Sequence, residues 1–542
     1  MSEPGPPTRR TLFRGGHVYS PADPFATAML VDGDRVAWIG EDGAVDAHRD
    51  AVDVVVDLDG ALVTPAFVDA HVHATSTGLA LTGLDLTGAS SLAQALDLLE
   101  RHARAARGHH VLGHGWDETR WPEGRPPTRQ ELDRASYGSV VYLTRIDVHS
   151  AVASSALLAA LPEIRGLDGY DDSGLLTRAA HHAARAEALA TVSPAQREAA
   201  QRAALDRAVA LGIGSVHEMA GPDISGEDDL RALLALAAEG GGPDVVGYWG
   251  ELHGVERALA LGARGAAGDL FADGALGSHT ACLRSPYADD DTWGAAYLDV
   301  ADVREHVAAC TRAGLQAGFH VIGDAAADTV VAGLSAAAEE VGADAVRARG
   351  HRLEHVELLA DDHLRVLADL GVYASVQPVF DALWGGPDGM YVQRLGADRA
   401  ATMNRFADMA AAGVALVLGS DAPVTPLGPW EAVRAAAFHH TPTQRLSVRA
   451  AFAAHTRGGW RAAGVPDGGV LVPGAAATYA VWRAGDLVVQ APDARVAAWS
   501  TDPRSGTPGL PDLTPGVPAP ACARTVVRGR QAYDDGSLVG RA

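Results

Sequence analysis

The sequence contains no lysine: all 44 basic side chains among its 542 residues are arginines. This absence excludes a lysine that forms a Schiff base, a lysine that acts as a general base, and a carboxylated lysine that bridges two metal ions. Any chemistry of this protein must therefore rely on other residue types.

Cysteine is also scarce. The three cysteines, Cys282, Cys310 and Cys522, are far apart, and none belongs to a CxxC pair. This spacing predicts neither a disulfide framework nor a thiolate zinc site. Histidine is plentiful by contrast, with 22 residues, so imidazole and carboxylate are the expected metal ligands.

Positive charge and long apolar runs are lacking as well. The formal net charge is −24, and such a surface repels phosphate backbones, so we expect no nucleic-acid partner. No apolar run is long enough to cross a bilayer, and residues 1–7 lack the basic-then-apolar pattern of a secretory signal. We expect a cytoplasmic protein with a short disordered lead-in, a small-molecule substrate and no membrane contact. Whether the protein forms a homodimer is left open.

Strands and helices alternate over most of the chain. Residues 1–62 and 466–542 contain short strand-like segments, whereas residues 63–465 alternate apolar strands, residues 140–144 among them, with helices rich in alanine, leucine and arginine. The alternation predicts an α/β fold, a (β/α)8 TIM-like barrel of parallel strands. Neither chain end makes a complete domain, so we expect the two ends to form one β-sandwich beside the barrel.

The first chemical signal is His71-Val72-His73, at the end of an apolar strand that begins at residue 63. Residues two apart in a strand point to the same side, so both imidazoles can reach one metal. Active sites of barrels lie at the carboxyl ends of the strands, where this pair falls. Alone, the HxH spacing is a weak signal, because surface and core histidines show it too.

Three later strands also end in residues that can bind a metal. His320 ends one strand, His355 follows Arg352-Leu353-Glu354, and Asp421 comes just after a strand at 414–418. The carboxyl ends of barrel strands meet on one face, so we expect these residues to surround a single site with the HxH pair. A helix cap or a hydrogen-bonded core histidine explains one such residue more easily than the whole set.

These residues lie in stretches through which the chain resembles the amidohydrolase superfamily. The resemblance extends over nearly the whole chain and is strongest to the branch with the N-substituted formamide deformylases, amidohydrolase family 3. The stretches are residues 63–74 (VTPAFVDAHVHA), 113–135 (GHGWDETRWPEGRPPTRQELDRA), 271–281 (FADGALGSHTA), 319–325 (FHVIGDA), 352–356 (RLEHV), 375–378 (SVQP) and 418–423 (LGSDAP).

The resemblance implies a TIM-like barrel, a β-sandwich from the two termini, and hydrolysis of a non-peptide carbon–nitrogen bond by metal-activated water. It makes His71 and His73 the ligands of the first strand, and His320 and His355 those of the fifth and sixth strands. It makes Asp421 the eighth-strand aspartate that binds metal and shuttles a proton. Zinc is the expected divalent metal, with iron or manganese as alternatives.

The chain departs from its relatives at Asp269. Relatives often carry a lysine at this position, and its carboxylated form bridges two metals. Aspartate is several bonds shorter, so we expect it to reach a metal only through water or if the backbone moves inward. A single metal is the favoured expectation, and an aspartate-bridged pair stays open.

Four further residues are weaker candidates for substrate contact: His149, Glu218, Trp116 and His279. The first two follow strands, and the other two lie in the resembling stretches. Packing or helix capping is an equally good interpretation of such residues. N-formyl amines, N-acyl amines, cyclic amides and carbamates all fit as substrates.

Two other functions stay open. One is a metal-dependent isomerase or decarboxylase, and the other is a binding protein on a barrel that has lost catalysis. The second is disfavoured, because a binding protein is expected to have lost a metal ligand or Asp421, and this chain retains them all.

Overall fold

The computed structural model describes residues 9–48, 52–106, 110–490, 499–500 and 508–541. The lead-in expected at residues 1–7 lies outside these ranges. Within them, no helix is both long enough and apolar enough to span a bilayer.

The centre of the molecule is an eight-stranded parallel sheet in which each strand pairs with its neighbours along the chain. A parallel bridge between Val72 and Ala422 connects the last strand to the first, so the sheet nearly closes. The TIM-like barrel predicted from the sequence is confirmed. Its strands are β1 (Phe67–Val72), β2 (Ile213–Ala220), β3 (Asp244–Trp249), β4 (Gly265–Ala266), β5 (Gln316–Val321), β6 (Arg352–His355), β7 (Tyr373–Val376) and β8 (Ala415–Leu418).

Some helices have clear sequence signals at their ends. Val300–Ala313, for example, begins at Asp299, whose carboxylate accepts from the backbone N–H of Ala301 and Asp302 at 2.8 and 2.9 Å, and it ends at Gly314 with φ 80°. The α-helices after β2 are Glu227–Ala238, Val255–Leu261, Val300–Ala313, Asp324–Val341, Ala343–Arg349, Asp361–Asp369, Pro378–Trp384, Met390–Leu395, Ala397–Ala400, Phe406–Ala412, Pro429–Ala437, Val448–Ala453 and Gly459–Ala462.

An insertion with its own sheet separates β1 from β2. Its strands, in spatial order, are Leu84–Asp85, Val111–Trp116, Val141–Arg145, Ser150–Ala153 and Leu175–Thr177. Its helices are Ala74–Thr82, Leu92–Ala106, Arg129–Ala135, Ser155–Ala160, Arg178–Ala190 and Pro194–Ala210.

The insertion corrects the expectation that residues 140–144 form a barrel strand. The strand exists, but Val141 pairs with Val111 inside the insertion. An apolar run predicts a strand without predicting which sheet it joins.

Both chain ends contribute strands to two further sheets. One contains Gly540–Arg541, Val54–Asp57, Arg10–Arg14, Ala28–Asp32 and Arg35–Gly40, and the other contains His17–Val18, Leu62–Pro65, Tyr479–Arg483, Ala521–Val527 and Arg530–Asp534. A three-stranded sheet joins Trp499–Ser500, Leu487–Gln490 and Leu510–Pro511. Side chains of the two five-stranded sheets built from the chain ends, such as Met29 and Val481, share one apolar core. A separate sandwich domain with borders at 62/63 and 465/466 stays a prediction.

The apolar run before His71 is two strands and not one. Leu62–Pro65 pairs antiparallel with Tyr479–Arg483 in a terminal sheet, and Phe67–Val72 is the barrel strand β1. The chain passes from sheet to barrel through Ala66 alone, so the two parts are coupled at this point.

Trp482 fixes this junction. Its side chain is 1% exposed, its indole N–H donates to Thr64 Oγ1 at 2.8 Å, and its ring packs against Phe67 and Trp430 at centroid distances of 5.7 and 5.4 Å. A large apolar ring thus links a strand of the C-terminal segment to the base of the barrel.

Replacing Trp482 by alanine should destabilise the protein by about 3–5 kcal/mol, the usual cost of removing a buried aromatic ring. Thermal and urea unfolding should show a lower midpoint. Trp293→Ala is the matched control, because Trp293 is 50% exposed. Equal midpoints for the two variants would contradict the role of Trp482 in joining the sheet to the barrel.

Candidate metal centre

Four histidines converge at the carboxyl end of the barrel. His71 lies in β1 with His73 just beyond it, His320 lies in β5, and His355 ends β6. All four side chains are at least nine-tenths buried. The strand-end positions noted in the sequence are therefore brought together in space.

Each of these histidines is oriented by a hydrogen bond from one ring nitrogen. His71 Nδ1 donates to Glu354 Oε2 at 2.8 Å, and His73 Nδ1 donates to the Met219 carbonyl at 3.0 Å. His320 Nε2 donates to the Gly274 carbonyl at 3.1 Å, and His355 Nδ1 donates to Gln377 Oε1 at 2.8 Å. Such bonds fix the tautomer, so the opposite nitrogen of each ring presents a lone pair.

Asp269 lies at the centre of the four rings. Its Oδ2 is 3.4 Å from His71 Nε2 and 3.1 Å from His73 Nε2. Its Oδ1 is 3.6 Å from His320 Nδ1 and 3.7 Å from His355 Nε2. The two carboxylate oxygens are thus divided between the two histidine pairs.

Asp269 reaches this position in one of the two ways expected from its short side chain, because the backbone turns inward beside it. Gly268 has φ +92°, and the Leu270 N–H donates to the Gly268 carbonyl at 2.8 Å, which makes a tight turn around Asp269. A Cβ on Gly268 would lie 2.6 Å from Met219 Sδ. Glycine therefore permits both the backbone conformation and the close packing that the turn requires.

Asp421 completes the cluster from the end of β8. Its Oδ1 lies 3.3 Å from His71 Nε2 and 3.2 Å from His73 Nε2. Its backbone has φ 56° and its N–H donates to the His71 carbonyl at 2.8 Å. His355 has φ 70°. Left-handed backbone at two non-glycine residues of one site is the kind of strain that functional sites retain.

The cluster leaves buried polar atoms without hydrogen-bond partners. Within the described ranges these are His71 Nε2, Asp269 Oδ1, His320 Nδ1 and Asp421 Oδ1. An unsatisfied buried polar atom is costly, and four that face one another suggest a shared missing partner. Ligand atoms about 2.1 Å from a tetrahedral zinc lie about 3.4 Å apart, close to the separations found here. The residues therefore fit a divalent metal.

The charges in the cluster are strongly coupled. Burial alone would lower the pKa of His73, but hydrogen bonds to Asp269 and Asp421 raise it to about 9. Burial alone would raise the pKa of Asp269, but the neighbouring His71, His320 and His355 hold it well below its ordinary value. The carboxylates thus attract positive charge to this point, which a metal cation can supply.

A buried ion pair supports the cluster from inside the barrel. Arg352 donates to both oxygens of Glu354, at 2.5 and 3.0 Å, and its guanidinium lies 4.5 Å from the Tyr248 ring centroid. Glu354 in turn accepts from His71. The arginine holds the pKa of Glu354 down to about 2 against the effect of burial, so the carboxylate that orients His71 stays ionised.

Comparisons with known proteins agree with this geometry. The sequence profile of the amidohydrolase family matches residues 54–533. The chain belongs to the amidohydrolase family.

Curated relatives of this amidohydrolase match most of its length. The LONG AFTER FAR-RED 3 protein of Arabidopsis thaliana is 28% identical over 84% of each chain. The N-substituted formamide deformylase of Arthrobacter pascens is 26% identical over 75% of this chain and 79% of its own.

A solved structure is also similar: an uncharacterized metal-dependent hydrolase of Pyrococcus furiosus. It is 27% identical, with a TM-score of 0.67, and the match covers 87% of this chain and 98% of the other. Together with the family match, it identifies the amidohydrolase as a metal-dependent hydrolase.

Among the weaker candidates, His149 lies beside the metal centre of the amidohydrolase. Its ring centroid is 5.0 Å from that of His320, and it lines a pocket together with His73, Asp269 and Asp421. Burial, and next the neighbouring His320, lower the pKa of His149 well below its ordinary value. The pocket therefore contains a neutral imidazole next to the ligand cluster.

Glu218 is not among the described residues that line the pocket of the amidohydrolase, and its expected contact with substrate stays a prediction. Its Oε2 accepts from the Ala74 N–H at 2.7 Å, and its side chain is buried behind His73. Burial raises the pKa of Glu218 to about 7. It positions the start of the helix that follows His73.

Trp116 and His279 are also not among the described residues that line this pocket, so their expected contact with substrate stays a prediction. Trp116 is buried in the insertion core, and its indole N–H donates to the Leu143 carbonyl at 2.8 Å. His279 shares a hydrogen bond of 3.0 Å with Asp289. In both cases a residue within a family-like stretch has a packing or local pairing role.

The pocket of the amidohydrolase has further walls that sequence reasoning missed. They include His114, Tyr142, Arg178, His182, Arg185, Phe271 and Tyr297. His114 donates from Nε2 to the Pro423 carbonyl at 2.7 Å, so it supports the segment after Asp421. His114 and Phe271 lie in stretches that resemble the family, but nothing in the spacing of the other residues linked them to a metal site.

A double variant, His71→Asn with His73→Asn, should abolish most metal binding, because it removes two of the four imidazoles that face Asp269. Elemental analysis of the purified protein after metal loading and gel filtration measures this. His17→Asn, an exposed histidine in a terminal strand, is the control and should keep the parent's metal content. Full metal content in the double variant would exclude these histidines as ligands.

Proposed function

We propose that the protein hydrolyses a non-peptide carbon–nitrogen bond of a small molecule, an amide such as an N-formyl or N-acyl amine. The observation that carries this proposal is the position of Asp421. Its Oδ1 is within 3.3 Å of both His71 and His73, and it also lines the pocket open to substrate. A carboxylate placed between a metal site and a substrate pocket suits proton transfer to a leaving nitrogen.

We further propose that two metals bind, with Asp269 as the bridge in place of a carboxylated lysine. His71, His73 and Asp269 form one group of ligand atoms, and Asp269, His320 and His355 form another. Asp269 alone belongs to both of these groups, through opposite oxygens, and a third group joins His71, His355 and Asp421. This arrangement favours a pair over the single metal expected from the length of the aspartate side chain.

When bound, a divalent metal supplies Lewis acidity and makes water a nucleophile near neutral pH. In the proposed reaction, Asp421 accepts the proton that this water loses, and the same carboxyl group delivers it to the departing nitrogen. An amine leaves an amide only after protonation, so both transfers are required.

His149 has a distinct part in the proposal. Its neutral imidazole can donate one hydrogen bond to the carbonyl oxygen of the substrate as negative charge develops there. A histidine that stays neutral does not add a cation beside the metals. The A. pascens relative is named for deformylation of N-substituted formamides, which supports an amide over other substrates.

Asp421→Asn should lower kcat by about 10²–10⁴-fold, because the amide keeps the shape of the side chain but accepts no proton. Metal content should change little, since all four histidines and Asp269 remain. Turnover on N-substituted formamides and elemental analysis test the two parts. Asp344→Asn, at a 99% exposed side chain, is the control. A variant as fast as the parent would remove Asp421 from the mechanism.

Asp269→Asn should instead reduce metal stoichiometry, from about two per chain to one or fewer, and activity with it. An asparagine side chain offers only one good acceptor oxygen, so it bridges poorly. Elemental analysis of this variant beside the parent decides the number of metals. One metal per chain in both proteins would contradict the bridge. A metal-loaded parent that hydrolyses no amide, carbamate or cyclic amide would contradict the proposed reaction.

A further inference from the structure

One face of the helix Arg178–Ala190 lines the pocket that opens onto the metal centre. Arg178, His182, Arg185 and Leu189 all contribute to the wall. Their spacing of four, three and four residues places them on one side of an α-helix. The two arginines are two turns apart, so they extend along the pocket.

Arg185 is a cation without a carboxylate partner in the described part of the chain. Its guanidinium donates to the backbone carbonyls of Val148 and Asp223, which are neutral groups. Those bonds orient the side chain but leave its charge uncompensated. A half-buried arginine is ordinarily paired, and here the unpaired charge faces a ligand pocket.

Two imidazoles lie close to Arg185. Burial, and next the charge of Arg185, lower the pKa of His181 and of His182, although Asp223 acts in the opposite direction on His182. His181 shares a 2.8 Å hydrogen bond with the Tyr142 hydroxyl. These imidazoles therefore neither add positive charge beside Arg185 nor offset the charge of its guanidinium.

Arg178 adds a second cation at the outer end of the same face. It bonds both oxygens of Asp168 at 3.3 Å, but that carboxylate is 68% exposed. An exposed ion pair of this kind contributes little free energy, so an incoming anion can displace Asp168.

The pocket is therefore divided by charge. Of the described residues that line it, the carboxylates are Asp269 and Asp421, both at the metal end. The arginines lie on the helix of the insertion. A substrate in this pocket can therefore meet both the metal centre and the fixed positive charge of the insertion helix.

We propose that Arg185, with Arg178, binds an anionic oxygen group of the substrate away from the scissile bond, so that the substrate is an acid-bearing amide such as an N-acyl or N-formyl amino acid. The planar guanidinium forms paired hydrogen bonds with a carboxylate or a phosphate-like group. This inference rests on the proposed amide hydrolysis and names the class of amide.

The test uses the metal-loaded protein and a ladder of N-formyl ω-amino acids with one to five methylene groups. N-formyl alkylamines of equal length are the neutral counterparts, and ω-phosphonates form a second anionic series. At the best length, kcat/KM for an anionic substrate should exceed that of its neutral counterpart by about 10- to 100-fold, as charge-assisted hydrogen bonds allow. The better anionic series identifies a carboxylate or a phosphonate as the recognised group.

The Arg185→Gln variant should have a ratio of kcat/KM for the anionic substrate to kcat/KM for its neutral counterpart that is about 10-fold lower or more. Arg185→Lys should keep part of this preference, because lysine retains the charge but lacks the paired N–H donors of a guanidinium. This variant also checks that a loss of activity is not a loss of folding. Arg178→Gln should reduce the ratio less. Arg202→Gln is the control, since Arg202 is exposed, pairs with Glu198 and Glu239, and does not line the pocket.

The outcomes separate the two proposals. Equal hydrolysis of charged and neutral formamides, with a ratio unchanged in Arg185→Gln, overturns anion recognition and leaves amide hydrolysis intact. If no amide is hydrolysed, the proposed function fails, and calorimetric binding of the same compounds decides the inference. If the parent binds the acids more tightly than the neutral compounds, and Arg185→Gln loses this difference, anion recognition is supported. Equal binding of acids and neutral compounds overturns it.

Discussion

The candidate site depends on one carboxylate held among four imidazoles. Asp269 reaches all four only because the chain turns inward at Gly268, immediately after the short strand β4. The turn interrupts the strand, which then resumes beside β5 through the bridge between Phe271 and His320. The backbone thus supplies the reach that a longer side chain would otherwise supply, and the rest of the cluster is built around the position it gives to Asp269.

Because the cluster buries several charged groups, it needs a compensating ion pair inside the barrel. The ion pair of Arg352 and Glu354 lies within the barrel, and Arg352 also donates to the Ala70 carbonyl and to Ser375 Oγ. Breaking such a buried pair leaves an uncompensated charge, which is strongly destabilising. Because Glu354 orients His71, the pair couples barrel stability to the geometry of the site.

The sequence predicted a large part of this site for a simple physical reason. Parallel strands of a barrel have their carboxyl ends on one face, so ligand-type residues at the ends of β1, β5, β6 and β8 must meet once the strands are recognised. The barrel and the convergence of the histidines followed from that alone. The reach of Asp269 did not, because a turn at one glycine leaves no periodic signal.

Other features were beyond sequence reasoning because they depend on distant contacts. Apolar alternation identified residues 140–144 as a strand, but only the pairing of Val141 with Val111 places it in the insertion. The indole N–H of Trp116 donates to the Leu143 carbonyl within the insertion. The position of Trp116 in a family-like stretch is therefore no evidence of substrate contact. Arg185 is separated from the nearest candidate ligand in sequence by more than eighty residues, so its approach to the metal centre is a property of the fold.

The barrel supplies the ligand cluster, and the insertion supplies walls of the pocket. The four histidines and two aspartates of the cluster lie on or beside barrel strands, where neighbouring strands fix their positions, whereas His149 approaches the metal centre from the insertion. The arginines of the pocket wall lie on the helix Arg178–Ala190, which the barrel does not need in order to close. Changes on that helix can alter the charge offered to a substrate without moving a ligand atom. The same cluster of four histidines and two aspartates can therefore serve different substrates, according to the insertion that covers it.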